Sequence, residues 1–213
     1  MGDVNQFSEI LSQGWPELPE ATRSQMLLFY KLILEENQSQ NLTRILSAQD
    51  FYDSNVQDTR ELVESGYLGD SVLEVGSGAG LPGILCALIQ PMHLWTFSDS
   101  EKSKAAFIER ALGSLSLKHG GVWAGRAEDL LRKREFCSVC ARAVGKVDKI
   151  FEWIRECSTW NNLILFKGPA WEDEWKEFQS GRNKNRLTIN AVREYSVGVD
   201  KKRRVLVNLE RKK

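Results

Sequence analysis

Two acidic residues and a run of glycines have the types and spacing that can do chemistry in this chain. Glu74 ends a short apolar run, and glycines follow at positions 76, 78 and 80. Glycine lets a backbone turn sharply and approach a ligand without interference from a Cβ atom. Asp99 ends the next predicted strand, where a carboxylate can accept hydrogen bonds from both hydroxyls of a ribose. The alternative for Asp99 is an ordinary strand-end N-cap.

The glycine spacing separates two classes of nucleotide-like ligand. A dinucleotide fingerprint needs Gly-x-Gly-x-x-Gly, but here position 81 is Leu. A pyrophosphate prefers helix N-terminal N–H groups without a nearby carboxylate. S-adenosylmethionine (SAM) has no phosphate and bears two positive groups, so Glu74 beside the loop is acceptable. Glu74, Gly76 and Gly78 are therefore predicted to bind SAM as the cofactor. A P-loop is excluded, because no Gly-Lys-Ser/Thr follows the glycines.

Strands and helices alternate after this first strand. Apolar residues at 72, 73 and 75 predict the strand before the glycines, and further strands are predicted at 93–98, 121–124, 136–141, 162–167, 187–195 and 203–209. Helices are predicted between most of them, at 84–89, 102–115, 128–134, 147–158 and 171–179. This alternation gives right-handed βαβ units and a mostly parallel sheet. The last two strands have no helix between them, so the final strand must be antiparallel.

The predicted fold class is therefore α/β. It is a Rossmann-like, mostly parallel seven-stranded sheet with an antiparallel last strand, the layout of class I SAM-dependent methyltransferases. Residues 1–69 are predicted to form a helical cap packed on the sheet, with Thr22 as the N-cap of one helix and a second helical stretch near 48–65. Residues 70–213 form the predicted SAM-dependent methyltransferase domain.

Charge is unevenly distributed along the chain. Residues 1–70 contain 4 Lys and Arg against 12 Asp and Glu, and residues 71–213 contain 25 against 17. One interpretation of this distribution is that the charges only solvate the surface. The more specific interpretation is that a basic catalytic domain binds a polyanion. Lys202, Arg203 and Arg204 flank the last strand and are predicted to contact RNA phosphates, although basic clusters of this kind are often merely solvated.

Several other functions are excluded by residue type and placement. Cys137 and Cys140 have the spacing of a metal motif, but they lie on a predicted strand where they face opposite ways, so no metal site is expected. His93 and His119 lie at strand entrances, which argues against a histidine base. No apolar run reaches the ~18–20 residues of a membrane span, and no signal peptide precedes the cap. We expect a soluble, cytoplasmic monomer without membrane contact.

Several motifs between about residues 25 and 210 resemble those of one family, the RsmG/GidB 16S rRNA (guanine-N7) methyltransferases, and they occur in the same order. The run from Leu73 to Ile84, with its Gly-Leu-Pro-Gly ending, resembles motif I of that family. The other matching segments are Asn41-Leu42-Thr43, Ser98-Asp99-Ser100, Arg126-Ala127-Glu128, Ala141-Arg142-Ala143, Phe166-Lys167-Gly168 and Arg203 to Leu209. One departure is that Ser54-Asn55 replaces the family's Arg-His, which weakens any basic RNA contact from the cap.

The resemblance implies SAM as cofactor, and N7 of a guanosine in the 530 loop of 16S rRNA as the target. The partner would be 16S rRNA or a small-subunit assembly particle. Carried over by position, Gly76 and Leu81 would line the cofactor pocket. Ala127 and Glu128 would bracket the adenine. Arg142 would lie beside the methionyl end or the incoming base.

Guanine N7 bears a lone pair and no proton, so its methylation needs no general base. Arg142 or Lys167, at the ends of adjacent strands, is the predicted catalytic group that holds O6 or a flanking phosphate. The alternatives are that Arg142 pairs with Glu128 or Glu74 and only organises the pocket, and that Lys167 is an ordinary strand-end lysine.

The sequence leaves open three further possibilities for the role of a tryptophan pair, the substrate and catalysis. Trp171 and Trp175 are four residues apart on a predicted helix and could stack an unpaired base, although packing in the core is the commoner role. The chain could be a SAM-dependent methyltransferase that acts on a small molecule or a protein. It could also be a ribosome-associated binding module that keeps the fold without catalysis, although intact Glu74, Gly76 and Asp99 argue against this.

Overall fold

The computed structural model describes residues 2–157 and 159–212. Seven strands are present in the described residues: β1 Ser71–Val75, β2 Leu94–Asp99, β3 Gly120–Ala124, β4 Phe136–Arg142, β5 Trp160–Lys167, β6 Leu187–Val197 and β7 Lys202–Arg211. They form one sheet in the order β3-β2-β1-β4-β5-β7-β6. Strands β1 to β5 pair in parallel, and β7 is antiparallel to both β5 and β6. The predicted fold class is confirmed.

Helices cover both faces of this sheet. They are α1 Gly2–Gly14, α2 Glu20–Glu36, α3 Ala48–Phe51, α4 Gln57–Ser65, α5 Gly83–Ile89, α6 Lys102–Ser114, α7 Ala127–Leu131, α8 Val147–Ile154 and α9 Trp171–Ser180, with a π-helical stretch Tyr52–Val56 between α3 and α4. Most buried apolar residues of α1 to α6 share one hydrophobic cluster, and those of α7 to α9 belong to a second. We name the two faces of the sheet the cap face and the opposite face.

Strand residues alternate between these two clusters. Val72 belongs to the cluster on the cap face, whereas Leu73 belongs to the cluster on the opposite face. Successive side chains of a strand point to opposite faces, and helices on both faces require apolar residues at both sets of positions. This alternation also decides which face each functional side chain at a strand end will reach.

The helices differ from the prediction in three places, two in the cap and one at α8. Helix α2 begins at Glu20 directly after Pro19, so Thr22 lies inside the first turn and is not the N-cap. Proline fixes φ near the value a helix entrance needs and has no N–H to leave unpaired. The predicted stretch near 48–65 is interrupted by the π-helical residues, and α8 ends at Ile154. The predicted continuation of α8 to 158 includes Ser158, which lies outside the described residues.

The segment before β1 packs tightly on the sheet. Phe7, Tyr30 and Phe51 are fully buried and contact one another with ring centroids 4.7 to 5.2 Å apart. The same hydrophobic cluster includes Ile84 of α5 and Trp95 of β2. The division into a cap of residues 1–69 and a domain of residues 70–213 stays a prediction. No helix of the described residues is long and apolar enough to cross a membrane.

Candidate active site

A pocket lies at the carboxyl ends of the parallel strands, where the loops after β1, β2, β3 and β4 meet. Its lining residues are Val75, Gly76, Ser98, Asp99, Ser100, Gly125, Arg126, Ala127, Glu128, Val144 and Trp153. The structure therefore brings together four of the predicted cofactor residues: Gly76, Asp99, Ala127 and Glu128. In open α/β sheets, ligands bind in the crevice at this edge of the strands.

The glycine loop has backbone angles that favour glycine. The φ angles of Gly76, Gly78 and Gly80 are 64°, 56° and 77°, in the left-handed region that side chains with a Cβ rarely adopt. A Cβ atom on Gly76 would also lie 2.5 Å from Val144 Cγ1. Because Gly76 and Val144 both line the pocket, a side chain at position 76 would displace part of the pocket wall.

Asp99 connects the ends of β1 and β2. Its Oδ2 accepts a hydrogen bond from the backbone N–H of Gly78 at 2.9 Å, and its Oδ1 accepts one from Glu101 N at 2.9 Å. Each carboxylate oxygen has a second lone pair, so the half-buried carboxylate can still accept bonds from ligand hydroxyls. The alternative that Asp99 is a helix N-cap is wrong, because Glu101 occupies that position before α6.

Glu74 is turned away from the pocket. Its side chain is almost fully buried on the cap face, and its Oε1 accepts a hydrogen bond from Gly83 N, at the start of α5, over 3.0 Å. Among the described residues, Oε2 has no partner. Burial raises the pKa of this carboxyl to about 7, against the lowering effect of the Gly83 N–H. Glu74 thus fixes the end of the glycine loop to the following helix.

Two other predicted cofactor residues also lie outside the pocket lining. Gly78 meets Asp99 through its N–H, and Leu81 is buried in the cluster on the cap face. Their contacts shape the loop, so any contact with a ligand would come from the loop backbone. The sequence indicated the loop but gave no signal for which of its residues face the cavity.

The opposite wall of the pocket is formed at the start of α7. Ala127 is buried there, and the carboxylate of Glu128 lies 3.6 Å from Arg126. Val144 and Trp153 add an apolar surface. With carboxylates at Asp99 and Glu128 and one guanidinium at Arg126, the pocket has no excess of positive charge for a phosphate, and it suits a nucleoside with positive groups. The residues present therefore fit SAM.

Trp153 is a pocket residue that the sequence did not single out. It lies on α8, is half-buried, and has the Lys149 ammonium 5.3 Å from its ring centroid. Trp171 and Trp175 do not form a stacking surface of this kind. Trp171 is buried in the cluster on the opposite face and stacks on Trp175, with ring centroids 5.6 Å apart. Packing explains that pair, so the prediction of base stacking is not supported by their position.

Arg142 is held by the cap and does not line the pocket. Its Nη1 donates to Ser54 O at 2.9 Å and to Asp58 Oδ2 at 3.0 Å, and its Nη2 donates to Asn55 Oδ1 at 2.6 Å. Its carboxylate partner is therefore Asp58, not either of the two glutamates considered from the sequence. The side chain of Arg142 is 17% exposed and that of Asp58 is fully buried. That this guanidinium holds O6 of the base or a flanking phosphate stays a prediction, and its hydrogen bonds to the cap argue against a direct contact with the base.

Lys167 lies on the other face of the sheet. Arg142 pairs with Phe166 in the β4–β5 register, so the next residue points the opposite way. Its ammonium donates to Glu174 Oε1 at 2.6 Å and to Gly145 O at 2.8 Å. Burial lowers its pKa, against the raising effect of Glu174. The structure therefore does not bring the two predicted catalytic cations together.

Strand alternation also separates the basic residues at the start of β7. Arg204 reaches the cap face and donates to Asp58 Oδ2 at 2.8 Å. Arg203 reaches the opposite face and pairs with Glu194 and Glu172. Lys202 is exposed. The predicted cluster is thus not one continuous RNA-binding surface, because two of its three side chains are already paired with carboxylates on different faces.

The histidines, and the two cysteines with the spacing of a metal motif, lie away from the pocket. His93 and His119 precede β2 and β3, at the amino ends of the strands, where each contacts a backbone carbonyl. Cys140 is buried and Cys137 is half-buried. No cluster of three His, Cys, Asp or Glu side chains in residues 2–157 and 159–212 could hold a metal ion.

Comparisons with known proteins agree with this geometry. The family described as GidB, rRNA small subunit methyltransferase G, matches residues 22–206. A relative from Rhodopirellula baltica, named Ribosomal RNA small subunit methyltransferase G, is 30% identical over 194 residues, which cover 91% of this chain and 84% of that protein. A relative with the same name from Solibacter usitatus is 33% identical over 195 residues, covering 90% and 93%. The crystal structure of a methyltransferase from Geobacter sulfurreducens has a similar fold, with a TM-score of 0.60, 16% identity and 96% of each chain covered.

Proposed function

This chain belongs to the GidB family of rRNA small subunit methyltransferases, and on that premise we propose that it methylates N7 of a guanosine in the 530 loop of 16S rRNA with SAM as the methyl donor. The chain is a methyltransferase of the Rossmann-like, seven-stranded class. The cofactor and the target atom are the parts that we propose. In this proposal the protein acts as a monomer in the cytoplasm. Its substrate is the 16S rRNA, either free or in a small-subunit assembly particle.

The observation that supports SAM most strongly is that Asp99 and Glu128 line the same pocket as Gly76. In our assignment, Asp99 accepts hydrogen bonds from the ribose hydroxyls. Ala127 and Glu128 flank the adenine, and Trp153 supplies an apolar surface for it. Gly76 leaves room for the methionyl end. When bound there, SAM supplies an electrophilic methyl group on a sulfonium ion.

Neither of the two histidines lies near the pocket, which agrees with a nitrogen that carries no proton as the target. The two histidines of the chain lie at the amino ends of β2 and β3, far along the strands from the pocket. The N7 lone pair of guanine attacks without prior deprotonation, so the protein needs only to hold the base in line with the methyl group. Positioning is therefore the main contribution of this site to the rate.

Arg142 and Lys167 enter this proposal as positioning residues. Arg142 fixes the cap to the end of β4 through Asp58, and Lys167 fixes the loop after β4 through Gly145 O. Both contacts hold the loop that contains Val144, which forms part of the pocket wall. Lys202, at the start of β7, is exposed and able to meet an RNA phosphate.

The test is methyl transfer from isotopically labelled SAM to small-subunit rRNA lacking this modification. The product is digested and its nucleosides are separated by mass spectrometry. We expect label in N7-methylguanosine with the wild-type protein and strongly reduced label with Asp99→Ala. Label in another nucleoside, in a protein or in a small molecule would point to a different substrate. SAM binding without transfer would point to a binding module.

A further inference from the structure

Three side chains from separate strands converge on one buried carboxylate of the cap. Asp58 Oδ2 accepts hydrogen bonds from Arg142 Nη1 at 3.0 Å and Arg204 Nη1 at 2.8 Å, and its Oδ1 accepts one from the Tyr195 hydroxyl at 2.7 Å. These partners come from the ends of β4, β7 and β6. The side chain of Asp58 has no exposed surface. A single cap residue thus fixes two guanidiniums at the carboxyl edge of the sheet.

The cluster has more positive than negative charge. Two guanidiniums share the one carboxylate, and Tyr195 adds no negative charge because burial and Asp58 raise the pKa of its hydroxyl. Nearby Glu61 and Glu64 are balanced by two cations, because Arg193 pairs with both of them and Arg60 also pairs with Glu64. An excess cation in a half-buried position is unfavourable unless an anion approaches it. The arrangement is therefore suited to a negatively charged ligand.

Unused hydrogen-bond donors lie in the same cluster. Within the described part of the chain, Arg204 makes one side-chain hydrogen bond, through Nη1, and its side chain is 27% exposed. Its Nε and Nη2 groups are therefore able to donate in the fork that matches a phosphate. Asn55, whose Oδ1 accepts from Arg142, has a buried Nδ2 that lacks a partner among these residues.

The cluster lies next to the proposed reaction centre. Arg142 precedes Val144 by two residues, and Val144 contacts the Gly76 position in the pocket wall. Exposed Lys202 is two residues before Arg204, so both point to the cap face. A strand of RNA that delivers a base to the pocket can place a backbone phosphate at Arg204 while Lys202 meets a neighbouring one.

We propose that Arg204 and Arg142, held by Asp58, form a binding site for one backbone phosphate of the RNA next to the target nucleotide. This inference rests on the proposed function, because it takes RNA as the substrate. Arg204 donates to the phosphate and Arg142 contributes charge. Asp58 is the positioning residue that sets the spacing of the two guanidiniums. The cap therefore takes part in RNA recognition even though its own sequence is acidic.

The test compares Arg204→Gln with Arg203→Gln, which removes the same charge from the neighbouring residue on the other face of β7. Binding of a small-subunit rRNA transcript is measured over a range of salt concentrations. For Arg204→Gln we expect roughly tenfold weaker binding at low salt and a logarithmic salt slope that is smaller by about 0.7 to 1. Arg203→Gln should keep the wild-type slope.

Arg204→Lys keeps a cation beside Asp58 and guards against a folding defect. It should keep the wild-type salt slope while losing part of the affinity, because an ammonium cannot form the two-pronged contact. Equal slopes for Arg204→Gln, Arg203→Gln and the wild type would overturn the phosphate site.

A methyl-transfer assay on the same samples separates this inference from the proposed function. Wild-type transfer to the RNA together with an unchanged slope in Arg204→Gln would overturn the phosphate site alone. A wild-type protein that neither binds nor methylates the RNA would overturn both.

Discussion

The backbone N–H of Gly78 donates a hydrogen bond to Asp99 Oδ2 over 2.9 Å. The carboxylate that ends β2 therefore holds the glycine loop that follows β1, and the same carboxylate lines the pocket. The Asp99 side chain therefore holds the glycine loop in place and is also positioned to contact a cofactor in the pocket. This relationship makes Asp99 the first residue to change when the cofactor assignment is tested.

Asp99→Ala should weaken SAM binding by at least about 10- to 100-fold, because one hydrogen bond to a charged acceptor is worth roughly 1.5–3 kcal/mol and Asp99 is assigned two. Titration calorimetry with SAM measures this directly. Asp99→Asn should bind with intermediate affinity, since its amide oxygen can still accept from Gly78. Asp129→Ala is the matched control, because Asp129 is an exposed carboxylate on α7 that pairs with Arg132. Unchanged affinity in Asp99→Ala would refute the ribose assignment.

Trp153→Ala should lower the affinity for SAM by roughly tenfold, because a base stacked on an aromatic side chain gains about 1–3 kcal/mol. Trp153→Phe should recover most of the affinity, since a smaller ring still covers part of the base. Trp175→Ala removes a half-buried tryptophan from α9, away from the pocket, and should reduce thermal stability without a change in SAM affinity. If calorimetry gives the same affinity for Trp153→Ala and the wild type, Trp153 has only a packing role.

Stability should fall as the pH rises, because Glu74 is buried with a pKa of about 7 against an ordinary value of 4.5. The protonated form is favoured in the folded state. Its contribution is fully present below about pH 4.5 and is lost as the pH rises through about 7. Between about pH 5 and pH 8 the wild type should lose on the order of 3 kcal/mol of unfolding free energy from this group.

Denaturant unfolding of Glu74→Gln over the same pH range is the comparison that isolates this residue. Glutamine keeps an oxygen for the Gly83 N–H but cannot ionise, so the variant should show a much flatter dependence on pH. Parallel curves for the two proteins would show that Glu74 does not titrate in this range.

Lys167→Met should reduce the unfolding free energy by about 2–4 kcal/mol, because it leaves the Glu174 carboxylate without its partner. Glu174 also accepts a hydrogen bond from Val147 N at the start of α8, so the loop before that helix should loosen. In Lys167→Met/Glu174→Gln the losses should be less than additive, since the two side chains are in contact. A variant of full stability with a selective rise in KM for RNA would instead give Lys167 a direct RNA contact.

The fold and the cofactor loop could be predicted because their signals are local. Gly76, Gly78 and Gly80 must adopt positive φ angles, and only their residue type is needed to expect that. Asp99 lies at a strand end that the apolar run before it already defines. Alternation of strands and helices then leaves few possible topologies.

The partners of the cationic side chains could not be predicted from the sequence, because those contacts are long-range. Arg142 and Asp58 are 84 residues apart and belong to different layers. The strand ends could be read from apolar runs, but no local pattern indicates which side chain each carboxylate of the cap contacts. The π-helical stretch that presents Ser54 and Asn55 to Arg142 also leaves no mark in the hydrophobic pattern.

The opposite orientations of Arg203 and Arg204 could have been predicted from the sequence. Arg203 and Arg204 are adjacent on a strand, and adjacent strand residues face opposite ways. The same rule separates Lys167 from the face that Arg142 occupies, once the β4–β5 register is known. The basic residues at the start of β7 therefore cannot form one cluster, because the period of two divides them between the faces.

Mapping the methyl group on the RNA decides whether this protein modifies N7 of a guanosine in the 530 loop. Small-subunit rRNA without the modification is incubated with the protein and SAM, digested with a nuclease, and sequenced by mass spectrometry across the 530 loop. We expect one added methyl group at N7 of a guanosine in that loop with the wild-type protein, and much less of it with Asp99→Ala. An unmethylated 530 loop, or a methyl group on another base or atom, would contradict this expectation.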